Sequence, residues 1–113
     1  MTGPTAGQVA IRCIRPDLIA AADRERIEQE MTDLGMQLGC AVDALIVVID
    51  PNVMGPWATV TNALARARAT HVIVPSLWHV DGIDGWIRAR AELVPLAGPL
   101  AADDAETRLA MSA

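Results

Sequence analysis

The stretch "HVIVPSLWHVDG", residues 71–82, decides the fold. Its first half is apolar and β-branched, the composition of a strand buried on both faces. Its second half turns into a loop carrying Pro75, Ser76, Trp78, His79 and Gly82. The strand is expected over 71–77. Further along, "DGIDGWIRARA" (81–91) reads as a short helix capped by Asp81 or Asp84, with Ile83, Trp86 and Ile87 turned inward. "ELVPLAG" (92–98) is a fourth strand. Pro95 cannot donate a ladder hydrogen bond, so this strand belongs at a sheet edge.

The same alternation runs the other way. "ALIVVID" (44–50) is continuously apolar, as a strand covered on both faces would be. After it, "PNVMGP" breaks the chain, and Pro56 suits the first turn of a helix whose Trp57, Val60, Leu64 and Ala67 share one face. "QVAIRCI" (8–14) is the first strand, with Val9, Ile11 and Cys13 opposite Ala10, Arg12 and Ile14. A long helix lies between these strands. Ile27, Met31, Leu34 and Leu38 recur at helical spacing, Gly39 is the C-terminal stop, and Asp17 or Asp23 is the start.

The order β-α-β-α-β-α-β with short connections predicts a three-layer α/β/α fold. Its four-stranded sheet is mostly parallel, in flavodoxin-like order. Residues 1–7 read as a flexible lead, 8–98 as the domain, and 99–113 as a tail or weak helix from about Asp103.

Composition narrows the function classes. The 113 residues fit one domain, and 52% are hydrophobic, enough for a real core. The aromatics are three tryptophans, so that core is aliphatic. Nine arginines and no lysine point to the codon usage of a GC-rich, actinobacterial-like genome. The net charge of −5 argues against autonomous nucleic-acid binding, which needs a basic surface. No run approaches the ~20 apolar residues that cross a bilayer. No basic start or apolar signal core opens the chain. A cytoplasmic location without membrane attachment is expected. Cys13 and Cys40 make no metal pattern and read as buried free thiols. No metal and no cofactor are expected.

In parallel sheets ligands bind beyond the carboxyl ends of the strands. The candidates there are Arg12, Arg15, Asp50, Ser76 and His79. Arg12 and Arg15 suit an anion clamp, or a salt bridge to a carboxylate such as Asp50. Asp50 suits a turn or a metal. Ser76 and His79 suggest hydrolysis, yet "VPSLW" is no nucleophile elbow. No glycine-rich phosphate loop follows the first strand. Trp78, His79 and Trp86 are the interface candidates, because tryptophan is enriched at binding hot spots.

The chain resembles the N-terminal catalytic domain of the serine recombinases, the resolvase/invertase family, over roughly residues 8–98. "AIRCIRP" matches the family's opening aromatic-x-Arg-Val-Ser strand, with Arg12 on the motif arginine. Asp50 and Gly55 match the acid and glycine after the second strand, and Leu77 matches the first leucine of Leu-Asp-Arg-Leu-x-Arg. Departures fall on the chemistry. Ile14 stands at the position of the nucleophilic serine, Trp78 and His79 at the Asp-Arg pair, and Gly82 at the last arginine. Those arginines would offset charge on the reacting phosphate. Cys13 is adjacent but faces the other way.

The resemblance therefore implies a catalytically degenerate domain without DNA strand exchange. The expectation is a non-enzymatic protein-interaction module that forms a homodimer or binds a protein partner. A small-ligand or nucleotide-binding flavodoxin-like domain, using the strand ends around Arg12 and Ser76, is the alternative. A residual DNA-associated regulator acting through a basic partner is the third.

Overall fold

The computed structural model describes residues 8–53, 55 and 57–96. The expected N-terminal lead, Pro56 as first-turn residue, the end of the 92–98 segment and the tail helix lie outside these residues. Within them the chain runs β1 (Val9–Ile14), α1 (Arg24–Gln37), β2 (Ala41–Val48), α2 (Ala58–Ala67), β3 (His71–Val74), α3 (Asp84–Arg88) and β4 (Glu92–Pro95). Short 3-10 turns cover Pro16–Leu18, Ala21–Asp23 and Leu77–Val80. The four strands form one all-parallel sheet in the order β2-β1-β3-β4, the expected architecture. Pro95 lies in β4, at one edge as anticipated.

Alternation along β1 divides the core between the two faces. Ala10 and Ile14 join Met31 of α1 and Ile73. Ile11 and Cys13 join Val60 and Leu64 of α2 and Ile87 of α3. Both buried clusters are aliphatic, and each fully buried Ile or Val contributes about 1.5–3 kcal/mol over its exposed state. Trp57 and Trp86 pack against the α2/α3 cluster.

Helix α1 ends as its sequence demands. Gly39 has φ 78°, its N–H bonds the Met36 carbonyl, and the Cys40 N–H bonds the Gly35 carbonyl, which is the Schellman arrangement. Of the two possible starts, Asp23 rather than Asp17 immediately precedes the helix, without a side-chain capping bond. Neither Asp81 nor Asp84 caps α3. Ile83 holds that position, and Asp84 instead pairs with Arg88 one turn on.

Two expectations about strands need correction. The third strand stops at Val74, because Pro75 cannot continue the ladder and Leu77–Val80 coils into a 3-10 turn. The second strand spans Ala41–Val48 rather than 44–50, and it is not covered on both sides. It is the sheet edge opposite β4, with Leu45 61% and Val48 41% exposed.

Candidate functional site

In the order β2-β1-β3-β4 the winding of the strands reverses between β1 and β3, and a ligand crevice would open between the loops that follow them. Those loops are bolted together instead. The Arg15 backbone N–H donates to Nδ1 of His79 at 2.8 Å. His79 rides on the 3-10 turn after β3, is buried, and is 3% exposed. Its imidazole accepts at Nδ1 and therefore carries its proton on Nε2. Burial, reinforced by the Arg15 charge and opposed by Asp17, pushes its pKa down to about 4. The ring is neutral across the physiological range and serves as a latch.

Of the two readings of His79, loop packing and an interface contact, its placement fits the first. A buried ring cannot be an outward interface contact. Its Nδ1 is engaged by Arg15 and not by Ser76, so no serine–histidine couple forms through that nitrogen.

Arg12 does not reach the crevice or Asp50. Its side chain lies on the α1 face, 8% exposed. One guanidinium nitrogen donates to Thr32 Oγ1 at 2.8 Å. The other donates to the Asp43 and Ala44 carbonyls at 3.0 and 2.9 Å. The reason lies in the β1–β2 ladder. Ala10 pairs with Val42, but Arg12 pairs with Ile46, so β2 bulges across Asp43 and Ala44. A bulge frees backbone carbonyls, and Arg12 satisfies them. Its Nε is buried without a partner. The anion clamp and the carboxylate salt bridge are both replaced by a backbone staple.

Arg15 sends its guanidinium to Asp17, at 2.6 and 3.2 Å. That bond holds the Asp17 carboxyl below its ordinary range. Asp50 accepts the Asn52 N–H at 2.9 Å and closes a turn, as its position before Pro51 suggested. Asp17 and Asp50 share a depression of about 260 Å³ with Pro16, Val48, Ile49, Pro51 and Asn52. It is smaller than the ~300–1,000 Å³ of ordinary ligand pockets, and its carboxylates would repel a phosphate. Ser76 precedes the 3-10 turn and makes no side-chain cap there. No group of three or more His, Cys, Asp or Glu residues that could hold a metal occurs among the described residues.

Both thiols are buried and free. Burial lifts Cys13 to about 12 and raises Cys40, so neither supplies a thiolate at neutral pH. Cys40 Sγ lies 3.3 Å from His71 Nδ1 at the amino end of the sheet, away from the crevice.

Several large apolar side chains face outward. Trp78 is 54% exposed, and Leu18 and Val53, on the loops after β1 and β2, are also exposed. Trp86 is half-covered, with the Arg90 guanidinium 3.9 Å above its ring. The large apolar side chains exposed on the sheet itself are Leu45 and Val48. These two were missed as candidates, although a signal existed. The expected strand order already placed the apolar 44–50 run at an edge, where one side has nothing to pair with.

No helix among the described residues is long and apolar enough to cross a membrane. No family model matches the chain, and neither a curated protein nor a solved structure matches it.

Proposed function

We propose that this chain is a non-catalytic, self-associating protein-interaction domain built on a resolvase-like scaffold. The observation that carries the reading is β2. A strand of wholly apolar side chains over residues 44–49 lies at a sheet edge that no other strand pairs among the described residues. Exposed apolar edges promote association, and stable monomers blunt them with charge, proline or a covering segment.

The crevice supports the same reading from the other side. His79 and Arg15 close it, and Arg12 spends its donors on β2. A nucleotide would have to break the latch and displace Asp17 from Arg15. Recombinase chemistry is equally ill served. Ile14, fully buried on the α1 face, stands where the resemblance puts the nucleophile. The net charge of −5 disfavours DNA as an unaided partner.

Sedimentation equilibrium over a wide concentration range tests the proposal. A dimer mass that dissociates on dilution is expected, with no thermal shift from a nucleotide panel. A strict monomer at high concentration that recovers no partner from extract would overturn it. A nucleotide shift that disappears in Arg15→Ala would favour the ligand-binding alternative.

A further inference from the structure

We infer that the groove between α2 and α3 is the docking site of this chain's own C-terminal segment, with Leu100 on its apolar stretch and Asp103 and Asp104 on Arg68 and Arg90. The groove holds about 310 Å³. Thr61, Leu64, Ala65 and Ala69 form one wall, and Trp86 and Arg90 form the other. It lies on the sheet face away from α1, and it stands apart from the β2 edge. Helices that connect parallel strands run against them, so α2 and α3 both end at the amino end of the sheet. Polarity along the groove follows from that direction. Leu64 and Trp86 come first, and Arg68 and Arg90 come last.

Both arginines have donors to spare. Arg90 is exposed, with its guanidinium 3.9 Å over the Trp86 ring and one nitrogen bonded to the Trp86 carbonyl at 3.0 Å. That bond uses one of the N–H groups that a guanidinium offers. Arg68 has no side-chain hydrogen bond or ion pair among the described residues. It ends α2 one turn beyond Leu64 and beside Ala69. Its backbone is left-handed, at φ 52°, a conformation that glycine adopts without cost. A charged side chain kept at a strained position points to a ligand for that charge. No carboxylate answers either arginine among the described residues. The α2 sequence holds no acidic residue, and Asp84 of α3 pairs with Arg88. Glu92 shares the α1 face with Val94, because Leu93 packs on the α2/α3 cluster.

Sign, order and reach select the occupant. The described chain leaves the sheet at Leu96, at the carboxyl end of β4, and residues 97–113 follow. They read apolar first, with Leu100, Ala101 and Ala102, and acidic next, with Asp103, Asp104 and Glu106. Entering from the carboxyl end, they meet the apolar stretch and then the arginines in that same order. From Leu96 to Asp104 the chain can span up to ~28 Å. A helix is ~10 Å thick and α2 is ~15 Å long, so the reach suffices. The other groove beside the exit, about 330 Å³, is walled by Glu30 and Asp33 of α1 with Leu34 and Leu96. Its carboxylates would repel the same segment.

The test places a nitroxide on Thr107→Cys of the full chain and reads line broadening by NMR, with circular dichroism as the folding control. Cys13 and Cys40 are buried and stay unlabelled. The Ala65 and Ala69 amides and the Trp86 indole N–H should broaden, and the Glu30 and Gln37 amides should not. Mixing a labelled chain without isotope enrichment into an unlabelled, enriched one should show no broadening, because the contact lies within one chain. Arg68→Gly deletes the charge and relieves the backbone, so most of the broadening should vanish without a fall in the melting midpoint. Arg90→Gln should release the segment too, as should Asp103→Asn combined with Asp104→Asn. Broadening at Glu30 and Gln37, broadening only in the mixture, none at all, or broadening that survives both arginine variants would each overturn the docking. Sedimentation reads self-association separately, so neither proposal falls with the other.

Discussion

His79 is a single ring that holds two loops, and its titration should be visible in the stability of the fold. Its folded pKa lies near 4, below the ordinary value near 6.5. Between those limits the unfolded chain binds the proton and the folded chain does not, so stability rises with pH across that window. The contribution is fully present above about pH 6.5 and is lost as pH falls through 4, by on the order of 3 kcal/mol. His79→Asn keeps an acceptor near the Nδ1 position but cannot titrate. Denaturant melts of this variant should lose the wild-type dependence between pH 6.5 and 4. His79→Leu leaves the Arg15 N–H without its acceptor and should cost about 1–3 kcal/mol at pH 7.5. Arg12 makes the opposite kind of contribution, a charge spent on neutral carbonyls. Arg12→Met strands the Asp43 and Ala44 carbonyls and should destabilise by about 2–4 kcal/mol, read from the denaturation midpoint. No loss of anion affinity should accompany it.

At the scale of elements, α1 is held against the sheet by a glycine. A Cβ on Gly35 would sit 2.5 Å from Val42 Cγ2 and 3.2 Å from Ile73 Cδ1. Gly35→Ala should therefore push the helix off β2 and β3 and cost about 1–3 kcal/mol in thermal or chemical melts. Periodicity announced every strand and helix here, because apolar side chains in this chain occupy positions that one regular backbone can bury together. The Gly39 stop and the Pro95 edge were equally legible, since each rests on a backbone restriction that a single residue carries. The bulge in β2 was not. It arises from how β1 and β2 align, and neither strand records that alignment alone. For the same reason Arg12 read as an anion clamp or a carboxylate's partner, and His79 as loop packing or an interface contact. A polar residue at a strand end has the same spelling whether it meets solvent or a loop from sixty-four residues away. Composition alone did not reveal Leu45 and Val48, because a run of apolar residues reads alike in a central strand and an uncovered edge; only the expected strand order set it at the edge.

For the whole molecule, self-association ties stability to concentration. If the native state is a dimer and the unfolded state a monomer, the melting temperature must climb as protein concentration rises. Differential scanning calorimetry over a hundredfold range should show that climb in the wild type. The climb should be smaller in Leu45→Lys and should begin at higher concentration. The bulge adds a constraint on the length of the chain itself. Between matched ladder points β2 advances from Val42 to Ile46 while β1 advances from Ala10 to Arg12. Excising Asp43 and Ala44 would restore an even ladder, and removing an even number keeps every side chain on its own face. That excision alone would strand the guanidinium, just as Arg12→Val alone would strand the carbonyls. Made together, the two changes should cost less than their sum by about 1–3 kcal/mol in a double-mutant cycle. Arg12 and the Asp43–Ala44 pair thus form one heritable unit. A descendant of this chain can lose both with little penalty, but losing either one first crosses a stability gap.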